Sequence, residues 1–409
     1  MRGLRIIVTG LIAQHPRLGG VTWDYLQYLL GLERLGHSVT YVEDSGQWPY
    51  RLEGDGKAHS AEPNAAHLEA VLSRYGFRGR WAYRCAMDGA CYGLSMDELR
   101  TLIRETDLLI NVSGSMIDPE PYTLIPVRAY IDSDPAFTQI RAATDPWFLN
   151  LLRSFNVHFT FGETLHNSGL PDAGLLWLPT RSPILPELWE TTGRPRPVLT
   201  TVMSWASYRP LSFAGRRFSQ KDAEFQKFLT LPQLVPAAAL EVAFHPVRNQ
   251  QWEDAPLPRQ SLESLLQKHG WVCRNSLEAA GDPESYRDYL TGSMAEWSVA
   301  KGGYVTGRTG WFSCRSACYL AAGRPVAVQD TGFSQVIPCG EGILPFHDLA
   351  SAAAAIDNLL ARYDRHAKAA AALAREYFDA GKVLSSLLER ALDPPSPPRK
   401  EQTWTACES

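Results

Sequence analysis

Apolar and polar positions along the chain follow two patterns: short continuous apolar runs, and longer stretches with an apolar residue every three or four places. Leu4 to Thr9 is a run of strand length, followed by a turn through His15, Pro16, Arg17, Leu18, Gly19 and Gly20. From Val21 to Leu35 the residues Trp23, Leu26, Leu29, Leu30 and Leu32 recur at helical spacing. Gly36 stops that helix, and Ser38 to Val42 predicts the next strand. Strand, helix and strand in that order form a βαβ unit, which predicts a parallel sheet. Leu108 to Val112, Arg128 to Ile131, Val157 to Phe161 and Leu175 to Leu178 add four strands. Between 46 and 95 glycine, histidine, proline and aromatic residues are mixed, and a helical insert is expected there.

The pattern breaks at 181–197, where Pro183, Pro186, Pro195 and Pro197 interrupt any period and predict a linker. A second alternating series then begins. Val198 to Val202, Leu240 to Phe244 and Trp271 to Cys273 predict strands, with helices over Ser219 to Phe228 and Ser261 to Lys268 between them. Asp282-Pro283 predicts a further helix start, with proline at the first helical position. Glu296 to Ala300 predicts a strand, and two helices are expected from 351 onward. The fold class is therefore α/β, with two Rossmann-like halves facing each other across a cleft. The expected bounds are 1–190, 191–370, a helix over 371–393 placed to cross back to the first half, and a disordered tail over 394–409. Ligands of open parallel sheets bind beyond the carboxyl ends of the strands, so two facing sheets would hold theirs between them.

A length of 409 residues fits two domains. Net charge of −4, with no basic stripe, argues against a nucleic-acid partner. No apolar run approaches the ~18 residues of a membrane span, and no signal peptide is read at the start, so a cytoplasmic location is expected. Seven cysteines, at 85, 91, 273, 314, 318, 339 and 407, form an odd and scattered set that fits reduced thiols. Cys314 and Cys318 are one helical turn apart, but no histidine or second cysteine pair completes a metal site, so no metal is expected.

Candidate chemistry concentrates between Ala300 and Val336. A loop carrying Lys301, Gly302, Gly303, Gly307, Arg308 and Gly310 is expected before a helix running from about Gly310 to Ala322. Glycines let backbone approach a ligand closely, and helix-start N–H groups suit phosphate. Arg308 is placed to add a bidentate contact, with Ser313 and Arg315 in the first helical turn. Asp330, ending the next strand, would accept from hydroxyl groups. A diphosphate beside a polyol is what a nucleotide-sugar presents. The plain alternative is a glycine-rich turn with Arg308 solvated; the spacing matches neither the Walker loop nor GxGxxG.

The stretch Ala321-Ala322-Gly323-Arg324-Pro325-Val326, then Thr331-Gly332-Phe333 and Glu341-Gly342-Ile343-Leu344, resembles the C-terminal signature of GT-B glycosyltransferases, nearest to the retaining glycosyltransferase-4-like branch. Gly19-Gly20, a helix and "LGHSVTYV" resemble that family's N-terminal glycine pair, helix and strand. The resemblance implies a GT-B fold and transfer of a sugar from a nucleoside diphosphate to a hydroxyl-bearing small molecule or glycan, with no separate cofactor. It implies donor contacts at Gly19, Gly20, Ser204, Lys301, Arg308, Thr309, Gly310, Trp311, Ser313, Thr331 and Gly332. The chain also departs from the family: the two glutamates that many retaining members carry eight positions apart fall here on Gly310 and Cys318. Glu296 or Asp330 would then have to meet the ribose and sugar.

In the first half, Asp132 and Asp134 of "YIDSDP" and His15 are the candidate proton acceptors, with His158, His166 and His245 behind them. The Asp pair also reads as a turn before Pro135. Thr201, Ser204 and Trp205 end the first strand of the second half, Ser204 being the phosphate candidate and Trp205 a packing residue. Trp81 to Tyr92 either lines an acceptor pocket or packs the insert. Two alternatives to the transferase remain, a nucleotide-sugar 2-epimerase of the same fold and a non-catalytic binding protein.

Overall fold

The computed structural model describes residues 3–50, 60–118, 120–245 and 259–395. Of the tail expected over 394–409 all but 394 and 395 lies outside these residues, as does the His245 side chain. The first half builds an eight-stranded sheet from β1 (Arg5–Thr9), β2 (Ser38–Glu43), β3 (Trp81–Arg84), β4 (Cys91–Gly93), β5 (Leu108–Val112), β6 (Val127–Asp132), β7 (Val157–Thr160) and β8 (Trp177–Pro179). Its order is β4-β3-β2-β1-β5-β6-β7-β8, parallel except for the β3–β4 pair. Central strands covered on both faces read as unbroken apolar runs, and all five residues of β5 are buried.

The second half builds β9 (Arg196–Ser204), a hairpin of β10 (Leu211–Phe213) and β11 (Arg216–Phe218), then β12 (Ala239–His245), β13 (Val272–Asn275), β14 (Ser293–Ser298), β15 (Val326–Gln329) and β16 (Ile343–Phe346). The six-stranded sheet runs β13-β12-β9-β14-β15-β16 and is parallel throughout. The order reverses between β9 and β14, the kind of position beside which open parallel sheets hold their ligands.

Several elements differ from expectation. The insert over 46–95 contains the helix Glu62–Arg74 but also β3 and β4, because Trp81 to Tyr83 pair with the edge of β2. The helix expected over Ser219 to Phe228 starts at Lys221 and tightens into a 3₁₀ turn after Phe225; its cap position is Gln220 and no side chain caps it. Residues 302–307, expected as loop, form a helical turn that Arg308 ends in a left-handed conformation (φ 48°). The following helix is Cys314–Ala321, not one from Gly310, whose φ of +78° is left-handed. After 349 there are three helices, Leu349–Ala361, Tyr363–Tyr377 and Ala380–Leu392.

The linker is packed rather than free. Ile184, Leu185 and Trp189 are buried, and the Leu185 N–H donates to Gln27 on the helix Gly19–Arg34. That helix also takes Leu384 and Ala380 against Gly31, so Ala380–Leu392 lies on the first half. At its start, Gly19 and Gly20 meet the helix Pro283–Thr291 of the second half. A Cβ on Gly19 would stand 2.2 Å from the Asp282 carbonyl oxygen, and one on Gly20 2.9 Å from the Tyr286 ring. Trp23 Nε1 donates to the Pro283 carbonyl at 2.7 Å. Only glycine permits this approach, which gives the pair a packing reason independent of any ligand.

Candidate active site

A crevice at the carboxyl ends of β14 and β15 is lined by Ser298 at the end of β14, Ala300 just beyond it, Gln329 at the end of β15, and Trp311, Ser313 and Ser316 around the start of Cys314–Ala321. Ser313 occupies the cap position of that helix but its side chain makes no cap hydrogen bond, which leaves the first-turn N–H groups facing the crevice.

Arg315 fixes the floor. Its Nε donates to Glu296 Oε1 at 2.6 Å, Nη1 to the Val202 carbonyl at 3.0 Å and Nη2 to Ser298 Oγ at 2.9 Å. Burial works against the guanidinium charge, but Glu296 beside it holds the pKa above the ordinary arginine value. Glu296 is fully buried and its second oxygen accepts no hydrogen bond. Glu296 therefore acts on the crevice through Arg315.

Lys221, at the first position of its short helix, approaches the same floor, and sequence reasoning missed it. It is partly buried, and among the described residues nothing accepts a hydrogen bond from its ammonium or pairs with it. Burial, with the neighbouring charges of Arg315 and Lys301, pulls its pKa well below the ordinary lysine value; Glu296 offsets this in part. A single lysine at a helix start carries no sequence signal of its own.

Lys301 lies between the halves. Its ammonium donates to Asp134 Oδ1 at 2.9 Å and to the Tyr208 hydroxyl at 2.8 Å, and stands 4.4 Å from the Tyr208 ring centroid. Tyr208 and Tyr304 hydroxyls also donate to Asp134. The neighbouring loop crosses too: Thr164 N–H donates to the Thr309 carbonyl (3.0 Å), Thr164 Oγ1 to the Arg308 carbonyl (2.7 Å) and Trp311 Nε1 to the Ser133 carbonyl (3.2 Å). Gly310 N–H donates to the Thr331 carbonyl and Thr331 Oγ1 to the Trp311 carbonyl, while Gly332 takes φ +102° against the Arg308 carbonyl. Arg308, Thr309, Gly310, Trp311, Thr331 and Gly332 are thus brought together as one loop seated on the first half, with the Arg308 side chain exposed.

The other expected residues sit as follows. Asp132 is buried and accepts from Thr138, Gln139, Thr160 and the Asp134 N–H, so its oxygens are occupied. Burial raises its pKa. Asp330 is closed into its own turn by the Gly332 N–H and Ser334. His15 is half-buried against Tyr50, with ring centroids 5.5 Å apart, and burial lowers its pKa to about 4. His158 bonds the Leu152 carbonyl. Ser204 is exposed at the end of β9, and Trp205 packs in the core against Phe225 and Phe244. Cys314 and Cys318 face Gln27 of the helix Gly19–Arg34, whose Nε2 lies 4.0 Å and 3.7 Å from their sulfurs. Among the described residues no three His, Cys, Asp or Glu side chains are grouped to hold a metal ion.

No family model and no curated protein sequence matches this chain. Solved structures resemble it in fold. An alpha-glucosyltransferase in complex with UDP and a 13-mer DNA containing a HMU base gives a TM-score of 0.59 at 12% identity, over 95% of this chain and 100% of that one. Sucrose-phosphate synthase from Thermosynechococcus elongatus gives 0.58 at 12% identity, over 95% and 99%. HepE from Anabaena, in complex with UDP and glucose, gives 0.56 at 12% identity, over 94% and 98%. These likenesses span both halves, and with the two parallel sheets and the packed return helix they establish the GT-B fold for this chain.

Proposed function

We propose that the chain is a glycosyltransferase that takes a hexosyl group from a nucleoside-diphosphate sugar to a hydroxyl-bearing acceptor, with the donor on the second half and the acceptor on the first. The observation that supports this best is Lys221. A half-buried lysine with no hydrogen-bond or ion-pair partner among the described residues, beside the charges of Arg315 and Lys301, stands where an anion is favoured. Three of the five Arg315 N–H groups are used within the protein, which leaves two for a ligand. With the uncapped helix start at Ser313, these groups suit the charge that develops on a departing diphosphate as its bond to the sugar breaks. Because cationic side chains meet that charge, binding is proposed to need no divalent cation. The neighbours crystallised with UDP and glucose favour a hexose donor.

Calorimetric titration with UDP, GDP, ADP and dTDP, with and without Mg²⁺, tests the proposal. One diphosphate should bind, equally well in either buffer, and Lys221→Ala should weaken it by roughly 10–100-fold, the worth of a charge-assisted hydrogen bond. Binding that is indifferent to Lys221→Ala would sink it.

A further inference from the structure

We infer that Ser298, Ser313 and Ser316 form a set of neutral hydroxyl donors for the terminal phosphate of the nucleotide, by which the site tells a nucleoside diphosphate from its monophosphate; this rests on the donor reading above. Ser298 is the last residue of β14, and Ser313 and Ser316 are the cap position and the third residue of the helix Cys314–Ala321. All three line the crevice. They are only 4%, 9% and 2% exposed, so the little surface they keep belongs to the crevice wall.

Their hydrogen bonds within the protein leave donors to spare. Ser298 Oγ accepts from Arg315 Nη2 at 2.9 Å, and a hydroxyl that accepts from a guanidinium still has its own proton to give. The charged donor also polarises that O–H and strengthens the bond it makes. Ser313 makes no cap hydrogen bond. Among the described residues the Ser316 hydroxyl has no hydrogen-bond partner, although its side chain is almost wholly covered by protein. A covered hydroxyl without a partner, on the wall of a crevice, points to a ligand that supplies one.

The rest of the wall decides the charge of that ligand. Its other polar side chains are already engaged. Gln329 accepts from the Ala300 N–H at 3.1 Å and donates to Glu224 Oε2 at 2.8 Å, and the Trp311 indole donates to the Ser133 carbonyl. No carboxylate lines the crevice. Glu296 lies two residues before Ser298 on the same face of β14, but one of its oxygens is spent on Arg315 and the other, without a partner, is sealed inside the protein. A wall of O–H donors at the start of an eight-residue helix, with no acid among them, suits an oxyanion. The terminal phosphate of a diphosphate presents three oxygens to it, and a monophosphate seated by the same base lacks that group.

The test is calorimetric binding, to the full chain and to its Ser316→Ala and Ser313→Ala variants, of whichever of UDP, GDP, ADP and dTDP binds, and of the matching monophosphate. The wild-type chain should bind the diphosphate more tightly than the monophosphate. Ser316→Ala should weaken the diphosphate by roughly 10-fold, the worth of a hydrogen bond to a charged group, and leave the monophosphate unchanged; Ser313→Ala should act in the same direction. Diphosphate affinity untouched by either substitution, while Lys221→Ala still weakens it, would overturn this inference and leave the donor reading standing. An equal loss of both nucleotides would also overturn it, since that marks a structural role, as would a wild-type chain that binds both equally well. Failure of the wild-type chain to bind any of the four diphosphates would overturn the donor reading itself and this inference with it.

Discussion

Lys301 of the second half and Asp134 of the first are joined by a 2.9 Å ion pair, and the Tyr208 and Tyr304 hydroxyls complete the carboxylate's shell. One lysine therefore does two things. It ties the halves together at the mouth of the crevice, and its charge adds to the field that depresses the Lys221 pKa. The tie between the halves and the electrostatics of the proposed donor site share a single side chain.

Lys301→Met should weaken the contact between the halves. Both partners are only partly covered, with side-chain exposures of 16% and 30%, so the cost lies below that of a fully buried pair, at about 1–3 kcal/mol. Urea unfolding measures it. A variant as stable as the parent would mean that the pair does not hold the halves in solution.

The glycine pair gives a comparison within one helix turn. Gly19→Ala places a methyl against the rigid Asp282 backbone, whereas Gly20→Ala meets the edge of the Tyr286 ring, which can shift. Gly19→Ala should cost about 2–3 kcal/mol and Gly20→Ala clearly less. Equal, small losses would show that the two halves do not approach as closely as these contacts require.

Much of the fold was legible because buried parallel strands need apolar runs, and β1, β2, β5, β9 and β15 announce themselves that way. The edge pair β3–β4 was not, since Trp81 to Arg84 gains strand character by pairing with β2 and has little pattern of its own. The turn 302–307 was hidden by its glycines, which local propensity assigns to loop although packing on Phe137 and Ser219 makes it helical. At the site, Lys301, Ser313 and Arg315 were found because they cluster in sequence. Lys221 lies about 80 positions upstream of Lys301, outside that cluster, whereas Asp134, the partner of Lys301 from the other half, was already marked by "YIDSDP".

Glu43 makes stability depend on pH. It is fully buried, and although the Ala13 and Gln14 N–H groups and the Tyr41 hydroxyl donate to it, burial pushes its pKa from 4.5 up to about 7. Between those values the folded chain holds a proton that the unfolded chain has released, so stability falls as pH rises through this window. The loss from this residue approaches about 3 kcal/mol by pH 8. Chemical unfolding at pH 5 and pH 8 should show the fall, and Glu43→Gln should flatten it. A Glu43→Gln profile parallel to the parent's would place the titration elsewhere.

Lys221 predicts a proton linked to donor binding. In the free protein burial and two neighbouring cations lower its pKa; a diphosphate beside it favours the ammonium and raises the pKa. At a pH between the free and bound pKa values of this lysine binding should take up a proton, and affinity should fall as pH rises through that interval. Calorimetry of the bound diphosphate in two buffers of different ionisation enthalpy at one pH reads the proton directly. The apparent enthalpy should differ between buffers for the parent chain and agree for Lys221→Met. A buffer-dependent enthalpy that survives in Lys221→Met would assign the proton to another group and remove the main electrostatic support for the donor site.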